Sequence, residues 1–350
     1  MINVLKRIKA KLGGDSRRDG EWFFGTKGLA SFLGAAASLL IVCFVDYLSP
    51  YATIVPPYYK HIIFNCLLYA LLTLSLNLVS GSIGQLSLGH AAFFGIGAYM
   101  TGALVKYGLV SFWLTIPLGM LASAIVAIPL AAAAIRVRGA FLVVITYGFC
   151  EVLRYVALNT DALGGSAGIP GIKAPRVFGI PFSRFGPSGK EAYIILAFLL
   201  VGALSFFMSR LEYSRTGYAF SSIREDEIAA VAMGVNTRYY KTLAIVLSAF
   251  FSGAAGSLHA GYATFVSPEL LSSTQSILIL TMVIVGGPRS VKGSILGAAL
   301  MTVLPEIFRS VKDIFHLGID PWMILYGFIL IVMMRVRPQG FWGKVSVLTK

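Results

Sequence analysis

The chain has 350 residues, 57% of them apolar and only 13% charged, and its mean hydropathy is +0.80. A charged fraction about half that of a soluble domain cannot cover so large an apolar content with polar surface, which excludes an ordinary soluble protein. The net charge of +14 comes with no basic stripe interleaved with aromatics, which excludes a nucleic-acid groove and leaves membrane lipid as the surrounding medium.

Residues 1–27 form a basic segment with seven Lys/Arg, and an apolar stretch follows over 28–46. That stretch reads as an uncleaved first span rather than a cleaved signal. Cys43 lies within it, after Val42, which is too large for a lipoprotein cleavage site. Together with Cys66 and Cys150 it makes an odd, scattered set that suits neither disulfides nor zinc. Nine further apolar runs, at 61–80, 84–105, 112–135, 139–158, 191–209, 242–262, 276–287, 293–308 and 322–335, are judged against the roughly 20 residues a helix needs to cross a bilayer. The expected fold is an all-α polytopic membrane protein with about eight to ten transmembrane helices. The runs at 276–287 and 293–308 are short and are separated by Gly286-Gly287-Pro288, so a broken or re-entrant pair is expected there. The membrane domain then covers 28–340, with a tail over 341–350.

If the N-terminus is cytoplasmic and every run crosses, 20 Lys/Arg fall on the cytoplasmic side and 8, Lys60 among them, on the other. This split follows the positive-inside rule and places both termini in the cytoplasm. It leaves an outer loop over about 159–190, rich in Gly and Pro, and a cytoplasmic loop over about 210–241 with charges of both signs.

The cytoplasmic loop holds a compact helix signal. Ser222 and Glu225 have capping-box spacing, and Glu225, Asp226 and Glu227 suit the positive end of a helix dipole. Ile228, Val231 and Ala232 form a small apolar stripe, and Gly234 is placed to end the helix in a left-handed turn. About eleven residues are marginal as an isolated helix, so this one is expected to pack on its own chain or on a partner.

Gly81, Gly84, Gly89, Gly95 and Gly97 fall within 17 residues. Each would cost an ordinary helix about 1 kcal/mol, so the stretch points to close backbone approach or to an unwound segment beside a cavity. Gln85, Ser87 and His90 among them either bind a zwitterion's charged groups or tie helices together. Small residues recur at Gly253, Ser257 and Gly261 and at Gly293 and Gly297, a pattern for helix contacts. Glu151 and Arg154 are three apart and can pair. No histidine has metal-ligand spacing, Gly186-Pro187-Ser188-Gly189-Lys190-Glu191 lacks the residues of a phosphate loop, and no catalytic constellation occurs, so no enzymatic activity is expected.

Ala229-Ala230-x-x-x-Gly234, preceded by Glu227, resembles the EAA loop of ABC-importer permeases, although Ile228 stands where the family has Glu. Asn77-Leu78-Val79-Ser80-Gly81-Ser82-Ile83-Gly84-Gln85-Leu86-Ser87-Leu88-Gly89-His90-Ala91-Ala92-Phe93-Phe94-Gly95-Ile96-Gly97-Ala98-Tyr99 resembles the signature of LivM-type branched-chain amino acid permeases. Gly164-Gly165-Ser166-Ala167-Gly168-Ile169 and the run from Gly286 to Gly297 match it as well, and the resemblance covers about residues 60–340. It implies a non-catalytic permease subunit of a bacterial inner-membrane ABC importer. Its implied partners are a LivH-like permease, two LivG/LivF-like ATPases that bind the ATP, and an extracytoplasmic substrate-binding protein; no cofactor is implied on this chain. By the resemblance Glu225, Glu227, Ala229, Ala230 and Gly234 couple to the ATPase. Gly81, Gln85, Ser87, Gly89, His90 and Glu151 are candidates for the translocation path. Urea or short-chain amide transport is the alternative within the family. An ion-coupled transporter, with Glu151 and Glu306 as its carboxylates, is the alternative outside it.

Overall fold

The computed structural model describes residues 56–137, 139–177, 180–181, 190–315, 322–336 and 340–341. The basic segment 1–27, the run at 28–46 with Cys43, residues 186–189 and nearly all of the tail lie outside the described residues.

Eleven α-helices are described: α1 Pro57–Ser80, α2 His90–Lys106, α3 Phe112–Ala134, α4 Ala140–Asn159, α5 Glu191–Glu212, α6 Arg215–Glu225, α7 Glu227–Ala232, α8 Thr237–Ala263, α9 Ser273–Gly286, α10 Val291–Phe315 and α11 Trp322–Val336. Six of them, α1, α3, α4, α5, α8 and α10, contain a stretch long and apolar enough to cross a membrane. Pro57 supplies a helix-ready φ at the start of α1, where its missing N–H costs nothing.

The run at 84–105 is not one continuous helix. After α1 the chain turns at Gly81, stays non-helical through Gly89, and becomes helical only at His90. The glycines and polar side chains of this stretch favour the unwound alternative because neighbouring helices supply its hydrogen bonds. The pair expected at 276–287 and 293–308 is corrected in a different way. The turn through Gly287 does break the chain, but only α9, with 14 residues, is short; α10 runs for 25. A 3-10 turn over Pro268–Leu271 precedes α9.

The core forms where α8 meets α2 and α3. A Cβ on Gly97 would lie 2.2 Å from the Gly253 carbonyl oxygen, and one on Gly253 would lie 2.5 Å from that of Gly119. The three backbones therefore touch, as small residues at membrane helix contacts allow. Ser257 sits in the same junction, its single hydroxyl proton within reach of the carbonyls of Gly253 (3.1 Å), Gly97 and Thr115 (3.4 Å each). Gly293 and Gly297 bring α10 equally close to Gly286 and Met282 of α9. The expected close contacts form at Gly253, Ser257, Gly293 and Gly297, whereas Gly261 makes room for the Phe112 ring of α3. Outward faces carry Leu121, Ile125 and Ile128 on α3 and Phe141, Val144 and Val152 on α4, all exposed and suited to lipid.

At the end of the bundle opposite α6 and α7, Ile169–Pro170 (β1) pairs antiparallel with Phe265–Val266, so the 159–190 loop is tied to the α8–α9 connection. A second small hairpin pairs Arg176–Val177 with Ile180–Pro181. Lys60, expected in a loop, lies inside α1 at 3% exposure, with its Nζ 2.6 Å from Glu191 Oε1 at the start of α5. Two buried charges need each other, because the loss of either leaves the second unpaired in a medium of low dielectric. Lys60→Met should therefore destabilise the detergent-solubilised protein by about 3–5 kcal/mol, whereas the double change Lys60→Met with Glu191→Leu should recover most of that loss in thermal unfolding.

Candidate functional site

Two regions carry the expected site residues other than Glu151, and both lie toward the α6–α7 end of the bundle. In the first, the structure replaces the expected eleven-residue helix over 222–234 with the last residues of α6, which itself runs for 11 residues from Arg215, and the six-residue α7. Ser214 caps α6, its Oγ accepting from the Gly217 N–H at 3.2 Å. Asp226 caps α7, its Oδ1 accepting from the N–H groups of Ile228 (2.8 Å) and Ala229 (3.1 Å). The Ser222–Glu225 capping box does not form. Ser222 lies within α6 and donates to the Ala219 carbonyl, while Glu225 is the last residue of that helix.

Gly234 closes α7 at φ +82°, with its N–H on the Val231 carbonyl and the Val235 N–H on that of Ala230. A residue with a Cβ pays about 1 kcal/mol or more for that left-handed conformation. Asn236 then caps α8 through the Tyr239 N–H. Side-chain caps at Ser214, Asp226 and Asn236 and the backbone turn at Gly234 thus hold the hairpin.

The five expected coupling residues separate into two groups. Glu227 pairs with Lys241 of α8 at 2.7 Å, Glu225 with Arg289 at 3.6 Å, and Ala230 is buried among Phe220, Ile223 and Ile245. These three fasten the hairpin to its own chain. Ala229 and Gly234 are exposed, and around them stand Ile228 (71% exposed), Val231 (55%) and Met233 (84%). Sequence reasoning named Ile228 and Val231 as a packing stripe but passed over Met233. Ile228 and Val231 of α7 face out, and of its three alanines only Ala230 faces in.

The second region is the discontinuous span. A cavity lined by Gln85, Ser87, His90, Thr146 and Ser248, with an apolar wall that includes Leu142, opens beside the segment 81–89. Leu88 donates its N–H to Thr146 Oγ1 at 3.0 Å, and the Gly89 N–H bonds the Ser87 hydroxyl at 3.3 Å. His90 is buried, with Nε2 2.7 Å from Ser75 Oγ and Nδ1 3.5 Å from Ser248 Oγ. Both serines give their own protons to backbone carbonyls, so Nε2–H donates to Ser75. His90 thus ties α2 to α1 through Ser75, its carbonyl accepts from Ser252 of α8 at 3.5 Å, and its ring forms part of the cavity wall beside Ser248.

Glu151 does not join this group. Its carboxylate accepts from the Ser273 N–H at the start of α9 (3.3 Å) and pairs with Arg154 (3.4 Å), which also reaches Glu269 at 2.8 Å. A carboxylate at a helix N-terminus is a cap, and sequence spacing alone could not reveal the remote helix it serves. Gly81 and Gly89 frame the segment. Gly81 packs against Asn77, whose Oδ1 accepts from the Arg289 N–H at 3.0 Å and whose Nδ2 donates to Ser294 at 2.9 Å. Arg224 of α6 donates to the Gly81 carbonyl. Burial, with Arg289 nearby, pushes the Arg224 guanidinium below its ordinary pKa, so this charge is held against an electrostatic cost. Arg224, Arg289 and Asn77 were missed from sequence; the only hint was the basic and polar residues flanking glycine turns.

A Cβ on Gly81 would sit 1.7 Å from Asn77 Oδ1 and 2.7 Å from the Arg289 nitrogen. Gly81→Ala should therefore displace the α9–α10 turn and cost about 1–3 kcal/mol, seen as faster proteolysis at 286–290 with membrane insertion preserved.

A family profile for branched-chain amino acid transport system / permease component matches residues 58–334. The chain is 36% identical over 293 residues to the high-affinity branched-chain amino acid transport system permease protein LivM of Salmonella typhimurium, covering 78% of this chain and 67% of that protein. LivH of the same organism is 23% identical over 80% of this chain and 92% of its own. BraD of Pseudomonas aeruginosa is 26% identical over the same shares. No solved structure matches. A bundle of apolar helices around a glycine-rich discontinuous span, matched over most of its length by one profile, places this multi-pass membrane protein in a single family: the chain belongs to the permease components of branched-chain amino acid transport systems.

Proposed function

We propose that this chain is one of two membrane-spanning subunits of an ATP-driven importer for aliphatic amino acids in a bacterial inner membrane. A LivH-like chain is its partner, two ATPase subunits dock on the α6–α7 end, and an extracytoplasmic binding protein delivers substrate to the other. The α6–α7 end faces the cytoplasm in this reading, supported by the 20-to-8 division of Lys/Arg, in which Lys60 drops out as a buried, neutralised charge. The observation that carries the proposal is the tip of the hairpin. Ile228 and Val231 stand exposed on the six-residue α7 and Met233 just after it, while Glu227–Lys241 and, at the end of α6, Glu225–Arg289 fasten the hairpin to its own chain. Exposed apolar side chains on a firmly anchored helix suit a partner's groove and a transmitted force.

Gln85, Ser87 and His90 beside an apolar wall offer polar and aliphatic contacts along a path for a small zwitterion; the cavity between them, at about 10 Å³, holds about one water molecule in this state and has to widen to admit a substrate. An ion-coupled mechanism is disfavoured because its two candidate carboxylates have structural partners: Glu151 caps α9, and Glu306 accepts from Tyr58.

Reconstitution of the complete complex with its binding protein should give leucine uptake only with ATP on the cytoplasmic side. Urea uptake without leucine uptake would move the chain to amide transport, and uptake driven by an ion gradient alone would overturn the ATP-driven reading. In the same assay Ile228→Asp with Met233→Asp should abolish co-purification of the ATPase and leave the permease pair intact. Gly234→Val should lower stimulated ATP hydrolysis and uptake together, through about 1 kcal/mol or more of backbone strain at the turn; normal values would mean that the hairpin only packs on its own chain.

A further inference from the structure

We infer that Arg224 is the positioning residue through which the α6–α7 hairpin sets the place of the extended segment 81–89 and hence the polar wall of the cavity. This rests on the coupling reading above.

One face of α6 presents Ser221, Arg224 and Glu225, spaced i, i+3, i+4. Arg224 Nη1 donates to the Gly81 carbonyl, the first residue beyond α1. Its aliphatic stem lies along the same segment, since a Cβ on Gly84 would meet Arg224 Cγ at 3.0 Å. On either side of it, Arg289 Nη2 donates to Ser221 at 2.6 Å and Nη1 reaches Glu225 at 3.6 Å. The backbone N–H of Arg289 in turn donates to Asn77, one helical turn before Gly81.

The other end of the segment belongs to a different helix. Leu88 donates to Thr146 of α4, and Gln85 and Ser87 between the two anchors line the cavity. Residues 81–89 thus span from α6 to α4, and a shift of one relative to the other must move the segment. Phe220 and Ile223 of α6 pack in one apolar cluster with Val79 and Ile83. Apolar contacts are non-directional and permit sliding, whereas a charge-assisted bond to one carbonyl resists it. Arg224 supplies that directional link.

The test uses the full complex with its ATPases and binding protein in proteoliposomes, comparing the unmodified permease with Arg224→Met and Arg224→Lys. Methionine keeps the stem over Gly84 and loses the donor; lysine keeps both a stem and a charged donor. Arg224→Met should bind the ATPases normally and retain ligand-stimulated ATP hydrolysis while uptake falls by about tenfold or more, and Arg224→Lys should recover most of the uptake. As a direct readout, a cysteine at Leu86, which is exposed on the segment, is labelled with a maleimide and quantified by peptide mass with and without trapped ATP. Labelling should change with ATP in the Arg224 and Arg224→Lys proteins and not in Arg224→Met. Uptake and ATP-dependent labelling that survive Arg224→Met would overturn the inference. So would normal ATP-driven uptake with no change in labelling at position 86 in the Arg224 protein, and in that case the transport reading itself would stand. Uptake independent of ATP in the Arg224 protein would instead remove the coupling reading on which the inference rests.

Discussion

Backbone-to-backbone contact among Gly97, Gly119 and Gly253 sets the arrangement of everything nearby. Lipid tails are as apolar as leucine, so helices in a membrane gain little by hiding apolar side chains from one another and must instead approach closely. Where three helices meet without side chains between them, their mutual register is fixed to within a fraction of an ångström. The first residue of α2 is then placed as well, and His90 falls between Ser75 and Ser248. The nine residues before it have to bridge from the end of α1 to that fixed point.

The second constraint is that the bilayer supplies no hydrogen-bond partners. Among the described residues, breaks of helix within the bundle are met from inside the chain: Thr146 receives Leu88, Asn77 receives Arg289, and Glu151 receives the start of α9. Residues that look like transport machinery when read singly, Glu151 above all, therefore also satisfy backbone that would otherwise be stranded. Those left without such a duty are the outward side chains of α7 and the cavity-facing Gln85.

Most spans were legible because hydropathy reports which residues lipid will accept. It cannot report where a helix stops inside an acceptable stretch, and so 84–105 read as one segment although its five glycines already marked it. The capping error has a different origin. Ser222–Glu225 and Asp226 are competing caps one turn apart, and burial of Phe220 and Ile223 decides between them by extending α6 through Ser222. Gly234 was legible because the need is local: the chain must reverse there with φ positive. Arg224–Gly81, Arg289–Ser221 and Lys60–Glu191 join residues 143, 68 and 131 positions apart, and no local pattern encodes such a choice.

The Lys60–Glu191 pair also bears on how the protein is built. Lys60 emerges 131 residues before its carboxylate exists, an interval of roughly ten seconds at ordinary rates of synthesis. During that time the ammonium cannot rest in hydrocarbon and must reach for water at the bilayer edge, which its position three residues into α1 allows. The start of α1 therefore stays shallow until α5 arrives, and the first helices to insert cannot lock into their final depth alone. Completion of the bundle is coupled to the arrival of a helix from its second half, so a ribosome stalled before Glu191 would leave α1 poorly seated and open to quality-control proteases.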